Sequence, residues 1–203
     1  MRTLAIDCAT EACSTALFED GELVECRFET IGRGHAERLV PMIAELPGQG
    51  RADRVLVSLG PGSFTGTRIG LAAGRALAVA WSAAVAGYPT LALVATMARP
   101  EGGDGEVLVV MAGGHGEWFV QPFDAKGLPL ADHSSLPPDR AAALSSIETV
   151  AGNRAVELVE ARGHGRALPL LPDARHALAL PDTVLTDDLR PIYGRPPDAR
   201  RPG

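Results

Sequence analysis

The stretch that most limits what this chain can fold into is SLGPGSFTGTRIG, Ser58 to Gly70, together with the helix it opens. It leaves a continuous apolar run, Val55 to Leu59, of the kind that makes a strand covered on both faces. It then turns through Pro61-Gly62 and enters a helical pattern from about Thr65 to Trp81. In that helix Gly66, Gly70, Gly74 and Ala78 recur at every fourth position and form one bare stripe. An internal glycine costs a helix about 1 kcal/mol relative to alanine, so close backbone packing has to offset it. The stripe needs either this protein's own sheet or a helix of another chain pressed against it, and periodicity does not separate the two. Ile69, Ala73, Leu77 and Ala80 supply a second apolar face. We expect one face on the sheet and one on another helix or subunit.

The loop itself would gather backbone N–H groups near Ser63, Phe64 and Thr65 at the positive end of the helix, a plausible anion cradle. It is not a Walker A loop, because Arg68 does not stand where a Lys-Ser/Thr pair would follow the last glycine. It is not GxGxxG, because Gly60, Gly62 and Gly66 are spaced one residue too far. Nor is it a GxSxG nucleophile elbow, since Pro61 stands two before Ser63. Two readings stay open, anion contact at Gly62 and Ser63 or a tight turn with Thr65 capping the helix. Asp7 ends the first strand and Thr10 follows in the loop. In a two-lobed cleft such a carboxylate can hold Mg²⁺ or a metal-bound water, with Thr10 near phosphate; the alternative is an Asp capping its own turn.

The rest of the chain reads as a duplication. Leu4 to Asp7 and Thr15 to Glu19 are strands, and Asp20-Gly21 is a hairpin turn into a third strand through Phe28. His35 to Leu46 is helical, with Leu39, Ile43 and Leu46 on one face, Val40 and Met42 off it, and Pro41 bending it or delaying its start. Val107 to Met111, Trp118 to Phe123, the turn Asp124 to Gly127 and a strand at Leu128 to Ala131 repeat the three-strand opening. A helix at Arg140 to Ser145, a strand at Ile147 to Val150 and a helix at Ala155 to Ala161 follow. The expected architecture is therefore α/β, two duplicated lobes with mixed sheets and flanking helices, 1–100 and 101–203, joined near Pro100 to Gly105.

Aligning the acidic turns of the two copies sets Asp7 opposite about Ala112, in a run with no carboxylate before Glu117. An acid from one lobe only makes a poor phosphotransferase, which neutralises charge from both sides of the transferring group. The histidines offer nothing better. His35 has Leu39 four residues on, no HExxH occurs, and His115, His133, His164 and His176 fall in Gly-, Pro- or Arg-rich loops. Ser63, His35 and Asp7 make a triad only on paper. No catalytic residue and no metal are expected.

Charge and composition narrow the partners. The net charge of −6 opposes a protein whose main task is gripping a nucleic-acid backbone. Lys126 is the sole lysine against 18 arginines, and the tail arginines Arg190, Arg195, Arg200 and Arg201 read as a solvated terminus. Cys8, Cys13 and Cys26 lie in apolar contexts and read as reduced, buried thiols, a Cys/His metal site with His35 being the lesser alternative. The longest apolar run, Ala76 to Gly87, is too short to span a bilayer, and no charged-then-apolar leader opens the chain, so a cytoplasmic protein is expected.

LAIDCATEACSTAL, HAERLVPMI and SLGPGSFTGTRIGLAAGRALA resemble the three N-terminal motifs of the TsaB (YeaZ) family, which is itself similar to the two-lobed ASKHA superfamily with its actin-like and ribonuclease H-like lobes. The resemblance implies a non-catalytic subunit that binds and stabilises a TsaD-like catalytic partner, with a TsaE-like ATPase, in N6-threonylcarbamoylation of adenosine 37 of tRNA. It implies pairing through the first two helices, with a partner or a second copy, which puts the interface on His35, Leu39, Ile43, Thr65, Gly66, Arg68, Gly70, Gly74 and Ala78. tRNA would be met only through the complex. No cofactor is implied beyond weak or degenerate nucleotide contact at Asp7, Thr10, Gly62 and Ser63. Ala112-Gly113-Gly114 stands where relatives carry Asp-Ala-Arg, so nucleotide binding in the second lobe is not expected. Pro191, Tyr193, Arg195 and Pro196 resemble the family's closing segment. The alternative, a stand-alone glycoprotease-like peptidase or ATP-dependent transferase, lacks a metal pair or nucleophile elbow to support it.

Overall fold

Three antiparallel strands open the first lobe in the computed structural model, which describes residues 1–102 and 105–194. They are β1 (Arg2–Asp7), β2 (Ala12–Glu19) and β3 (Glu22–Thr30), with Asp7 opposite Ser14 at the end of the first ladder. The turn between β2 and β3 holds Asp20 at φ 50° and Gly21 at φ 89°, the two left-handed residues that a tight hairpin turn of this twist needs. The chain then crosses through α1 (His35–Ala44) to β4 (Arg54–Ser58) and through α2 (Phe64–Trp81) to β5 (Ala84–Tyr88), both strands parallel to β1. The sheet order is β3-β2-β1-β4-β5.

Past α3 (Thr90–Gly102) the second lobe repeats this plan. Its strands are β6 (Val107–Ala112), β7 (Trp118–Phe123), β8 (Ser134–Leu136), β9 (Thr149–Ala151) and β10 (Arg166–Leu168), with α4 (Pro138–Ala143) and α5 (Ala155–Arg162) as crossovers. The order β8-β7-β6-β9-β10 matches the first sheet strand for strand. Asp7 and Ala112 end the equivalent strands β1 and β6, the correspondence that the acidic turns predict.

Three apolar layers hold the lobes. Leu39, Met42 and Ile43 of α1 and Leu71 and Ala78 of α2 pack with Leu4, Ile6, Val55 and Val57 on the outer face of the first sheet. Leu108, Val110, Val150, Ala155 and Leu158 do the same outside the second. Between the sheets lies α3, with Leu91, Leu93, Val94, Ala95 and Ala98 all buried against Leu56, Tyr88, Val109, Met111 and Phe119.

Several elements differ from the sequence reading, β5 and β10 among them, since neither short strand stands out along the chain. The third strand of the second lobe is Ser134–Leu136 rather than Leu128 to Ala131; Pro129, which has no N–H to give a ladder, makes only a bridge with Phe123. The helix α3 is absent from that reading because burial on every side leaves it without a polar stripe. α1 begins at His35 and runs through Pro41 without delay. The last part of 101–203 leaves the second lobe: a 3₁₀ segment, Ala174–Ala179, packs into the core between the sheets, Thr186 pairs with Gly87, and the Ile192 N–H donates to the Leu59 carbonyl at 2.7 Å. β5 is the edge strand of its sheet and has backbone groups left to pair, so the tail closes the first lobe. Arg195, Pro196, Arg200 and Arg201 lie outside the described residues.

Candidate functional site

The two lobes face each other across a cleft of about 340 Å³ at the ends of β1 and β6. The first lobe lines it with Ala9, Thr10, Glu11, Gly62, Ser63 and Phe64, the second with Ala112, Gly113, Gly114 and Asn153. A polar tie crosses it. The Asn153 amide donates to both Glu11 carboxylate oxygens, at 2.9 and 3.1 Å, while its oxygen accepts from the Ala112 N–H at 2.7 Å. The second lobe, among the described residues, lines this cleft with no carboxylate. Among the described residues no three side chains of metal-ligating type cluster anywhere.

Asp7 does not reach the cleft. It is 1% exposed, its Oδ1 accepts the Ala9 N–H at 2.9 Å, and the Tyr88 hydroxyl lies 3.4 Å from Oδ2 while donating to the Ile6 carbonyl. Burial pushes its pKa up to about 7, opposed by the Ala9 N–H and the hydroxyls of Ser58 and Tyr88. This is the turn-capping geometry rather than a metal-holding one, so Asp7 is corrected from a nucleotide contact to a buried structural acid. The same burial holds the Tyr88 hydroxyl well above the ordinary phenol range.

The glycine loop spends its donors internally. The Ser63 N–H donates to the Ala9 carbonyl at 2.6 Å, and Ser63 Oγ caps α2 by accepting the Gly66 N–H at 3.1 Å. The cap is Ser63, one residue before the helix, and not Thr65. A Cβ on Gly62 or Gly66 would run into the Ala9 or Cys8 carbonyl, which explains both glycines by close approach of two backbones. Thr10, Gly62 and Ser63 line the cleft, but Thr10 Oγ1 already accepts the Ala12 N–H.

The expected interface residues divide sharply. Gly66, Gly70, Gly74 and Ala78 are buried on the protein's own sheet, where added Cβ atoms on Gly70 and Gly74 would lie 3.5 Å from Cys8 Cβ and 3.3 Å from Val57 Cβ. Leu39 and Ile43 are core, and His35 is buried with Nε2 donating to the Ala12 carbonyl at 3.1 Å. These seven residues are therefore no contact surface, because the sheet beneath uses the whole stripe. Thr65 and Arg68 remain exposed. Arg68 lies over the Phe64 ring, 3.4 Å from its centroid, and donates to the Tyr193 hydroxyl at 2.7 Å, which fastens the tail to the start of α2.

The solvent side of α1 and α2 carries large apolar side chains, Val40 at 56% exposed, which the sequence places off the core face, and Phe64 at 58% and Val79 at 82%, which it does not single out as exposed. Exposed Ala36 and Ala44 on α1 and Ala72, Ala76 and Ala80 on α2 add to it. The signal was available in Val40, which stands off the core face of its helix.

Strand order repeated in both lobes, crossover helices outside each sheet and a cleft at the ends of the paired first strands define a duplicated ASKHA-type α/β protein, one whose cleft, among the described residues, is lined by no acid from its second lobe. A family model described as TsaD, tRNA N6-adenosine threonylcarbamoyltransferase, matches residues 29–157. The Escherichia coli (strain K12) tRNA threonylcarbamoyladenosine biosynthesis protein TsaB is 38% identical over 135 residues, 63% of this chain and 58% of that protein. The Haemophilus influenzae protein of the same name is 41% identical over 80 residues, 37% of this chain and 34% of that one. The match thus spans less than two thirds of either relative's length. The solved structure of YeaZ from Pseudomonas aeruginosa superposes with a TM-score of 0.80 at 30% identity, covering 95% of this chain and 99% of that one. The chain belongs to the TsaB (YeaZ) family.

Proposed function

We propose that this protein acts in tRNA threonylcarbamoyladenosine biosynthesis as a non-catalytic subunit, binding and stabilising a TsaD-like catalytic partner that modifies adenosine 37. The role in the pathway is what its relatives' names state of them. The observation that carries the subunit reading is the exposed apolar side of α1 and α2, with Val79 82% exposed. Large apolar side chains left open to water on a helix pair mark a contact surface when they cluster, and the glycine stripe, by seating α2 directly on its sheet, fixes that surface rigidly. The cleft supports the same reading from the other side. Its single carboxylate, Glu11, is already held by Asn153, and Asp7 is sealed beneath Tyr88, so the chain supplies no pair of acids for group transfer. A TsaE-like ATPase and tRNA then meet this chain through the assembled complex, and a second copy of the chain competes for the same helices when the partner is absent.

The test is co-elution with the TsaD-like partner on size exclusion. Val79→Glu combined with Val40→Asp is expected to abolish co-elution while leaving the circular dichroism and melting temperature of the chain unchanged. Assembly at wild-type level by that double variant refutes the assignment of the surface, and turnover by the isolated chain refutes the non-catalytic role.

A further inference from the structure

Two of the three cysteines stand together under the helix layer. Cys8 follows β1 and Cys13 lies in β2, one step beyond the last ladder pair of Asp7 with Ser14, and their sulfurs are 3.7 Å apart. Opposed residues of an antiparallel pair have Cα atoms roughly 4.5–5.5 Å apart, within the range of roughly 4.4–6.8 Å that a disulfide takes. The sulfurs have less than about 2 Å to travel to bonding distance. Both are free thiols. The hydrogen bond between the two sulfurs draws Cys13 below the ordinary thiol range and, together with burial, holds Cys8 well above it. The pair belongs to the same buried apolar cluster as Leu4, Ile6, Leu17, Leu39 and Leu71, and both cysteines are at most 1% exposed. Such burial discriminates by size, against a bulky disulfide reagent and in favour of an oxidant close to water in size.

We propose that Cys8 and Cys13 form an oxidative modification site, a buried dithiol that hydrogen peroxide converts to an intramolecular disulfide. Cys13 gives up its proton and its thiolate attacks one peroxide oxygen. The O–O bond breaks, leaving a sulfenic acid on Cys13 and hydroxide, which takes that proton to become water. The Cys8 sulfur then attacks the Cys13 sulfur, the S–O bond breaks, and the departing hydroxide takes the Cys8 proton as a second water. Two thiols and one peroxide yield one disulfide and two waters. The link closes the 8–13 loop under the starts of both helices, since Gly66 of α2 lies against the Cys8 carbonyl and the Ala12 carbonyl holds His35 of α1. Cys26, half-buried on β3, serves as the internal comparison.

The full chain, reduced and then freed of reductant, is exposed to hydrogen peroxide, denatured in N-ethylmaleimide and read by intact mass and peptide mapping. Two of the three thiols are expected to escape alkylation, with loss of two hydrogens, a linked Cys8–Cys13 peptide and full reversal by dithiothreitol. Cys26→Ser should form the link at the wild-type rate; Cys8→Ser and Cys13→Ser should not form it, with circular dichroism confirming that each is folded. Glutathione disulfide in place of peroxide should leave the pair alkylatable in the native protein. The proposal is overturned if the pair stays fully alkylatable while Cys26 is oxidised, if the link forms only in urea, or if glutathione disulfide forms it as fast as peroxide.

Discussion

Replacing the glycines of α2 by alanine one at a time distinguishes a stripe spent on the protein's own sheet from one held open for a partner. The structure assigns each position a different answer. At Gly70 the new methyl meets Cys8 Cβ at 3.5 Å and Ile6 and Val57 methyl carbons at 3.8 Å, ordinary contacts that need no movement. Relief of the glycine penalty in a helix interior then stabilises the protein by about 1 kcal/mol. At Gly74 the methyl stands 3.3 Å from Val57 Cβ, a rigid atom close to the backbone of β4. The strain there offsets the helical gain, and the net change lies within about 1 kcal/mol of zero. At Gly66 the methyl would fall on the Cys8 carbonyl oxygen, far inside 3.0 Å, and only a shift of backbone relieves it. A loss of about 3 kcal/mol is expected. Thermal unfolding reads the series, since about 1 kcal/mol moves the melting point of a domain of this size by roughly 2–4 °C. The expected order of melting points is Gly70→Ala above wild type, Gly74→Ala near it and Gly66→Ala well below. Equal, small effects on stability at all three positions, with loss of partner binding at each, would refute the packing argument and return the stripe to an intermolecular role.

Asp7 has its pKa raised from 3.8 to about 7 by burial, so the folded state holds a proton that the unfolded chain releases near pH 4. Stability from this group is complete below about pH 4, falls as pH rises and levels off above about 7, a change on the order of 4 kcal/mol. Asp7→Asn should flatten that slope and melt above wild type at pH 8; parallel pH profiles for the two proteins would contradict the assignment. Asn153→Ala leaves the Ala112 N–H without its partner and removes the donor to Glu11, for an expected loss of about 1–3 kcal/mol. Glu11→Gln keeps an oxygen for the Asn153 amide and should stay near wild type. Urea unfolding separates them, and an equal loss in both variants would show that the charge on Glu11, not the hydrogen bond, ties the lobes.

Much of the fold is legible in the residues, for reasons that vary by element. Asp20-Gly21 between apolar strands gives the hairpin because only such residues take two successive left-handed conformations cheaply. The repeated acidic turns place Asp7 opposite Ala112, since strands of equal length carry the register from turn to cleft. By contrast α3 is invisible to periodicity, as Leu91 to Ala95 are buried all round. β5 is invisible as well, its alanines and glycine having little strand preference until β4 pairs with them. The site is less legible than the fold. The resemblance to the TsaB family points Leu39, Ile43 and the stripe to an interface, while their period says which residues share a face and not what that face meets.

Local chemistry along the chain determined the elements, the duplication and the need for something to lie close against Gly66, Gly70 and Gly74. Tertiary structure alone decided what that something is. Cys8, Val55 and Val57 come under the stripe only once β1 and β4 are paired side by side, and that pairing joins segments about 50 residues apart in the chain. The same is true of Asp7, whose carboxylate is buried by Tyr88, and of Cys8 and Cys13, whose sulfurs meet because a strand folds back on its neighbour. A sequence specifies which side chains share a face; the partner of each face is set by contacts between residues remote along the chain, and those exist only in the folded molecule.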